Sequence, residues 1–112
     1  MLEGPALLFT FVIASVLAPL LEEVTFRGVL YQAIGRRIGW VGGAAVSAAV
    51  FAAVHVEVLL PLGVESLVFS AALFGVGVVF AVVFHRSRNL LAPIVAHATF
   101  NGVQLLLASA AG

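Results

Sequence analysis

Glu22, Glu23, Arg27, His55, His97 and Asn101 stand inside the apolar stretches of this 112-residue chain. They fall in three short motifs, PLLEEVTFRG, FAAVH and HATFN. Carboxylates and imidazoles take up and release protons. An ionisable group at the centre of a membrane helix costs about 2.5–3.5 kcal/mol to insert, so function is the default reading for such a set. The competing reading is an ion pair that only locks helices together. Spacing divides the set. Glu23 and Arg27 are four residues apart, on one helix face, with the glutamate first, which is the favourable order for a pair. Glu22 points about 100° away and is expected to stay free of that arginine. Phe51 and His55 are also four apart, as are His97 and Asn101, so each pair shares a helix face.

The chain that must position these groups is 63% hydrophobic and 9% charged, with a mean hydropathy of +1.25. A soluble domain carries about a quarter charged residues, so this chain lacks the polar surface for a water-facing globule. An integral membrane protein is expected. Net charge is zero and there is no basic cluster, which gives no sign of a nucleic-acid partner. The absence of cysteine excludes disulfides and thiolate chemistry. The N-terminal MLEGPALLF has no positive region and does not read as a signal peptide. Residues 1–112 read as a single domain, and its abrupt apolar start suggests the core of a longer protein.

Four apolar segments approach the ~20 residues that a membrane helix needs. The first runs from Ala6 through the glutamate motif to Gly35, the second from Trp40 to Leu60, the third from Leu67 to Phe84 and the fourth from Leu90 to Ala108. GRRIG, PLGVE and HRSRN punctuate them. The segments are continuously apolar rather than alternating, so an all-α polytopic transmembrane bundle of about four helices is expected, not a barrel. At 1.5 Å per residue, Glu22 lies ~20 Å from Gly35, His55 ~24 Å from Gly39 and Asn101 ~15 Å from Leu91, depths that overlap once helices tilt. Small residues crowd the second helix from Gly42 to Ala53, which suits a central position. Pro19 denies the carbonyl of Ser15 its helical donor and predicts a kink with room for water beside Glu22. Arg36 and Arg37 follow the first helix, Arg86 and Arg88 the third, while Glu57 and Glu65 flank the intervening turn. The positive-inside rule puts the arginine loops on the cytoplasmic side. His85, beside Arg86, reads as an interfacial residue.

EEVTFRG, FAAVH and HATFN follow one another on successive helices as EExxxR, FxxxH and HxxxN. In that order they resemble the CAAX-processing and bacteriocin-processing (CPBP) family of intramembrane endopeptidases. That family includes the proteases that trim prenylated CAAX proteins and the abortive-infection and self-immunity proteins of bacteria. The resemblance runs from Pro19 to about Leu107; family members usually carry further membrane helices before this core. It implies a protease of a bacterial or archaeal cytoplasmic membrane, acting on a membrane-embedded or lipidated peptide. It also implies that Glu22 and His55 activate a water and that His97 and Asn101 complete the site, donating to the oxyanion. Glu23 and Arg27 would be the structural ion pair. A carboxylate withdrawn from water holds its proton more tightly and becomes a competent base near neutral pH, which fits this assignment.

Glu22, His55 and His97 would also form a His₂Glu zinc set with water in the fourth position. Asparagine is a poor zinc ligand and HExxH is absent, so metal-free glutamate chemistry with no required cofactor is the preferred expectation. Two other classes compete with proteolysis. One is a proton or ion pathway, which buried Glu and His chains also serve. The other is a catalytically silent immunity or scaffold protein that holds a partner membrane peptide.

Overall fold

Pro5 lies in the first turn of a helix that continues to Ile38, and Gly39 alone separates it from the next. Gly39 adopts φ 91°, a conformation that a side chain would strain, so a glycine makes this one-residue reversal. The structure is a computed structural model that describes residues 3–59 and 63–112, without the side chains of 56–59. It is all-α. Helix α1 spans Gly4–Ile38, α2 Trp40–Leu59, α3 Val64–Ser87 and α4 Leu91–Ala111. Three of them, α1, α3 and α4, are long and apolar enough to cross a membrane. These are the four helices expected from hydropathy, with α3 beginning three residues before Leu67 and both α3 and α4 running on three residues. Leu60, Pro61, Leu62 and the Glu57 side chain lie outside the described residues. Between α3 and α4, Arg88 closes α3 at φ 52° with its N–H on the carbonyl of Phe84. Asn89 Oδ1 then accepts the N–H of Leu91 at 2.8 Å and opens α4.

Helix α1 is not uniform. Two wide, π-helical stretches, Ile13–Leu17 and Val24–Tyr31, bracket the α-helical Ala18–Glu23. In the first, the N–H of Ala18 reaches back five residues to the carbonyl of Ile13. Pro19 has no N–H to offer. The carbonyl of Ala14 is therefore left without a main-chain donor in either register. This corrects the simple kink argument, which looked to Ser15: the wide turn moves the need for a donor one residue back.

The bundle is inside-out relative to a soluble protein. Its largest fully buried side chains include Arg27, Glu23 and Ser47, while Leu8, Phe9, Leu21 and Val29 face outward. Lipid is as apolar as leucine, so close packing rather than hydrophobic burial must join the helices. Helix α2 supplies the close-packing surface: Ala44, Ser47, Ala48 and Ala52 are buried. A β-carbon on Gly77 of α3 would lie 3.1 Å from both Cα and Cβ of Ala48, and one on Gly43 would lie 2.9 Å from the carbonyl oxygen of Tyr31. Helix α2 thus sits tightly against both α1 and α3. Overpacking a close contact of this kind costs about 1–3 kcal/mol, so Gly77→Val should lower the melting temperature in detergent. Gly75→Ala, at a site with nothing within 4 Å, should not lower it.

Candidate active site

The two adjacent glutamates leave α1 in different directions. Glu23 is completely buried, and its Oε2 accepts from Arg27 Nη1 at 3.0 Å and from His97 Nδ1 at 2.7 Å. Arg27, equally buried, donates through Nη2 to the carbonyl of Gly77 at 2.6 Å. Its guanidinium lies 5.2 Å from the ring centre of Phe51 and 5.4 Å from that of Phe80, within cation–π range of both. An i,i+4 pair on α1 is thereby tied to α2, α3 and α4.

Glu22, about one quarter exposed, turns to the other side. Its Oε1 is 2.9 Å from His55 Nε2 and 3.9 Å from His97 Nε2. Hydrogen-bond partners assign the tautomers. His55 Nδ1 lies 2.7 Å from the carbonyl oxygen of Phe51, and a carbonyl only accepts, so that nitrogen carries hydrogen. His97 Nδ1 faces the carboxylate of Glu23 and carries hydrogen for the same reason. Each neutral ring therefore presents a bare Nε2 toward Glu22. Two lone-pair groups do not approach to 2.9 Å unaided, so the Glu22–His55 contact holds one proton, on the acid or on the ring. Ring contacts fix both imidazoles: His55 lies 4.2 Å from Phe51, and His97 stacks on Phe80 at 4.7 Å and 24°.

Asn101 meets α1 at the wide turn. Its Nδ2 donates to the carbonyl of Ala14 at 2.9 Å, supplying the hydrogen bond that the main chain cannot. One amide N–H remains for other use. Glu22, His55, His97 and Asn101 all border one cavity of about 270 Å³, with Phe51 and Phe100 in its walls. Phe69 and Leu73 add α3 to its lining, so all four helices enclose it. Among the described residues no group of three or more His, Cys, Asp or Glu is arranged to hold a metal ion.

Sequence reasoning did not find three parts of this arrangement. Gly77 acts through its carbonyl, which no residue type announces. Phe80 had no pattern to separate it from other apolar residues. The bond from His97 to Glu23 joins residues 74 positions apart, where helical spacing says nothing.

Residues 4–103 match the family described as Type II CAAX prenyl endopeptidase Rce1-like. The chain belongs to that family. All six residues singled out above fall within the Rce1-like match. The chain is also similar to an uncharacterized 24.3 kDa protein of Escherichia coli, with 33% identity over 95 residues that cover 83% of this chain and 41% of the relative. It thus spans about two fifths of the length of that curated relative. No solved structure matches it.

Removing one partner of a buried ion pair costs about 3–5 kcal/mol, so Arg27→Ala should melt far below the unmodified protein in the same detergent. Asn101→Ala leaves the half-buried Ala14 carbonyl without its donor and should also lower the melting temperature. Asn101→Asp should melt lower still, because it sets a second acceptor against the first.

Proposed function

We propose that this chain is the catalytic core of an intramembrane endopeptidase that hydrolyses a peptide bond in a membrane-associated substrate, with Glu22 as the base. The observation that carries this reading is the Glu22–His55 contact, set beside His97 and Asn101 on a cavity with aromatic walls. The family's description as a prenyl endopeptidase supports a lipidated or C-terminal peptide as substrate, and apolar walls suit one. Such a segment must enter extended, because a helical peptide bond has its carbonyl engaged.

The working base is the Glu22–His55 pair after its shared proton has left. Glu22 then takes a proton from water, His55 Nε2 accepts the water's other hydrogen, and the oxygen attacks the scissile carbonyl carbon. As the C–O bond forms, charge moves onto the carbonyl oxygen. The donors available to it are the second amide N–H of Asn101 and, on a doubly protonated ring, the Nε2–H of His97. The proton on Glu22 passes to the departing amine as the C–N bond breaks. Glu23 and Arg27 hold His97 and take no part in the transfer. Positive-inside placement sets the arginine loops on the cytoplasmic side of this reading.

One observation favours a second reading. Both imidazoles have Nδ1 engaged by an acceptor and turn Nε2 toward Glu22, the outer-shell pattern of metal-bound histidines. Glu22, His55 and His97 are the residues that would hold a zinc ion, which when bound would polarise the carbonyl and acidify a water. Against this, no group of three or more such ligands among the described residues is arranged to hold an ion, and Glu22 and His55 contact each other directly at 2.9 Å.

Glu22→Gln keeps the shape and can still donate an amide hydrogen to His55 Nε2, but it cannot take a proton from water. It should fold with an unchanged melting temperature and release no product from a panel of prenylated and unprenylated membrane peptides read by mass. Turnover by Glu22→Gln would end the assignment of the base. Activity of the unmodified protein should survive exhaustive chelation; loss under phenanthroline, restored by zinc alone, would move the mechanism to the metal.

A further inference from the structure

The arginine end of the bundle holds a second cavity that proteolysis does not use. It has a volume of about 440 Å³ and lies where the end of α1, the start of α2 and the end of α3 meet. Tyr31, Gln32, Arg36, Trp40, His85 and Arg88 line it, and none of them borders the cavity beside Glu22. Arg36, in the last turn of α1, and Arg88, the residue that caps α3, thus both border one concavity. The ion pairs among the described residues are confined to Glu22, Glu23, Arg27, His55 and His97, so Arg36 and Arg88 have no acidic partner there. Glu65 lies at the opposite end of α3, in its first turn.

The remaining lining is fixed rather than loose. Tyr31 OH and His85 Nδ1 are hydrogen bonded at 2.9 Å, and Trp40 stacks on His85 at 4.2 Å and 13°. Arg88 occupies the left-handed conformation, φ 52° and ψ 29°, at a helix end where glycine is the ordinary choice. A large cationic side chain therefore stands where backbone geometry alone favours none. Outside the cavity, Ile38, Val41 and Leu91 are exposed on helices whose outer faces are apolar. Paired guanidinium groups recognise phosphate oxygens, and Trp and Tyr settle at the headgroup level of a bilayer. Basic cavities between membrane helices take anionic headgroups on these grounds.

We propose that this cavity binds the phosphate of an anionic phospholipid through Arg36 and Arg88, with the acyl chains lying along the apolar outer faces of α1 and α2. The inference rests on the membrane placement of the helices and stands or falls apart from catalysis.

Trp40 is the single tryptophan of the chain, so its fluorescence reports on the cavity wall. The purified chain in neutral detergent is titrated with short-chain phosphatidylglycerol, short-chain phosphatidylcholine and inorganic phosphate. A saturable change with phosphatidylglycerol, absent with phosphatidylcholine and at least tenfold weaker with inorganic phosphate, is expected. A cationic side chain near anionic lipid is worth about a fivefold change in affinity, so Arg36→Gln and Arg88→Gly should each raise the half-saturating concentration by about that factor. Both residues are exposed, and glycine suits the Arg88 backbone, so melting temperatures should hold. Arg37→Gln, outside the lining, should titrate like the unmodified protein. Equal response to phosphatidylcholine, or equal loss in Arg37→Gln and Arg36→Gln, would overturn the site in favour of unspecific surface attraction. Equal saturation by inorganic phosphate would overturn the lipid in favour of a free anion.

Discussion

Arg27 and Glu23 form an ion pair with no exposed surface on either side chain, and the rest of the bundle is arranged to complete it. Two charges taken out of water lose more hydration than their mutual attraction restores unless further hydrogen bonds are supplied. Those bonds come from other helices: the imidazole of His97 on α4 and the carbonyl of Gly77 on α3. The rings of Phe51 on α2 and Phe80 on α3 lie against the guanidinium. Apolar surfaces facing lipid gain nothing by meeting one another. A polar centre that takes its partners from α3 and α4 therefore ties the helices in register. The small residues of α2 and Gly77 let the helices approach closely enough for those short bonds to form.

The pair also shapes its neighbour. Helical rotation turns Glu22 about 100° from Glu23, so the arginine that pairs with one carboxylate cannot reach the other in the same way. His97 joins the two environments, bonded to Glu23 through Nδ1 and facing Glu22 with Nε2. One glutamate thus orients a ring that the other glutamate faces. Membership in the Rce1-like family gives this division a setting, since both carboxylates and both imidazoles lie within the matched residues.

Hydropathy and segment length were enough to read four helices, with ends that agree to within about three residues where both can be compared. Contacts within one helix were legible because helix geometry dictates them: the Glu23–Arg27 spacing and the separate direction of Glu22 both follow from 3.6 residues per turn. The small-residue face of α2 was legible by composition. The wide turns of α1 were not, because a change of main-chain register leaves little trace in residue type apart from Pro19. That is why the carbonyl needing a donor is Ala14 rather than Ser15, and why the amide of Asn101 meets α1 there. His85 read as a plain interfacial residue, yet it bonds Tyr31 and stacks on Trp40. Contacts across helices depend on how the helices come together, which one sequence does not encode locally.

The single proton between Glu22 and His55 has an electrical consequence. Whether it rests on the acid or on the ring, those two groups sum to zero charge, as Glu23 and Arg27 do beside them, and His97 adds none while its ring is neutral. The whole polar cluster is then a dipolar insert without net charge. A unit charge moved across a membrane potential couples at about 2.3 kcal/mol per 100 mV. The resting cluster, having none, experiences no net force from the transmembrane voltage. An energised membrane can hold this bundle without pulling its polar centre toward either face.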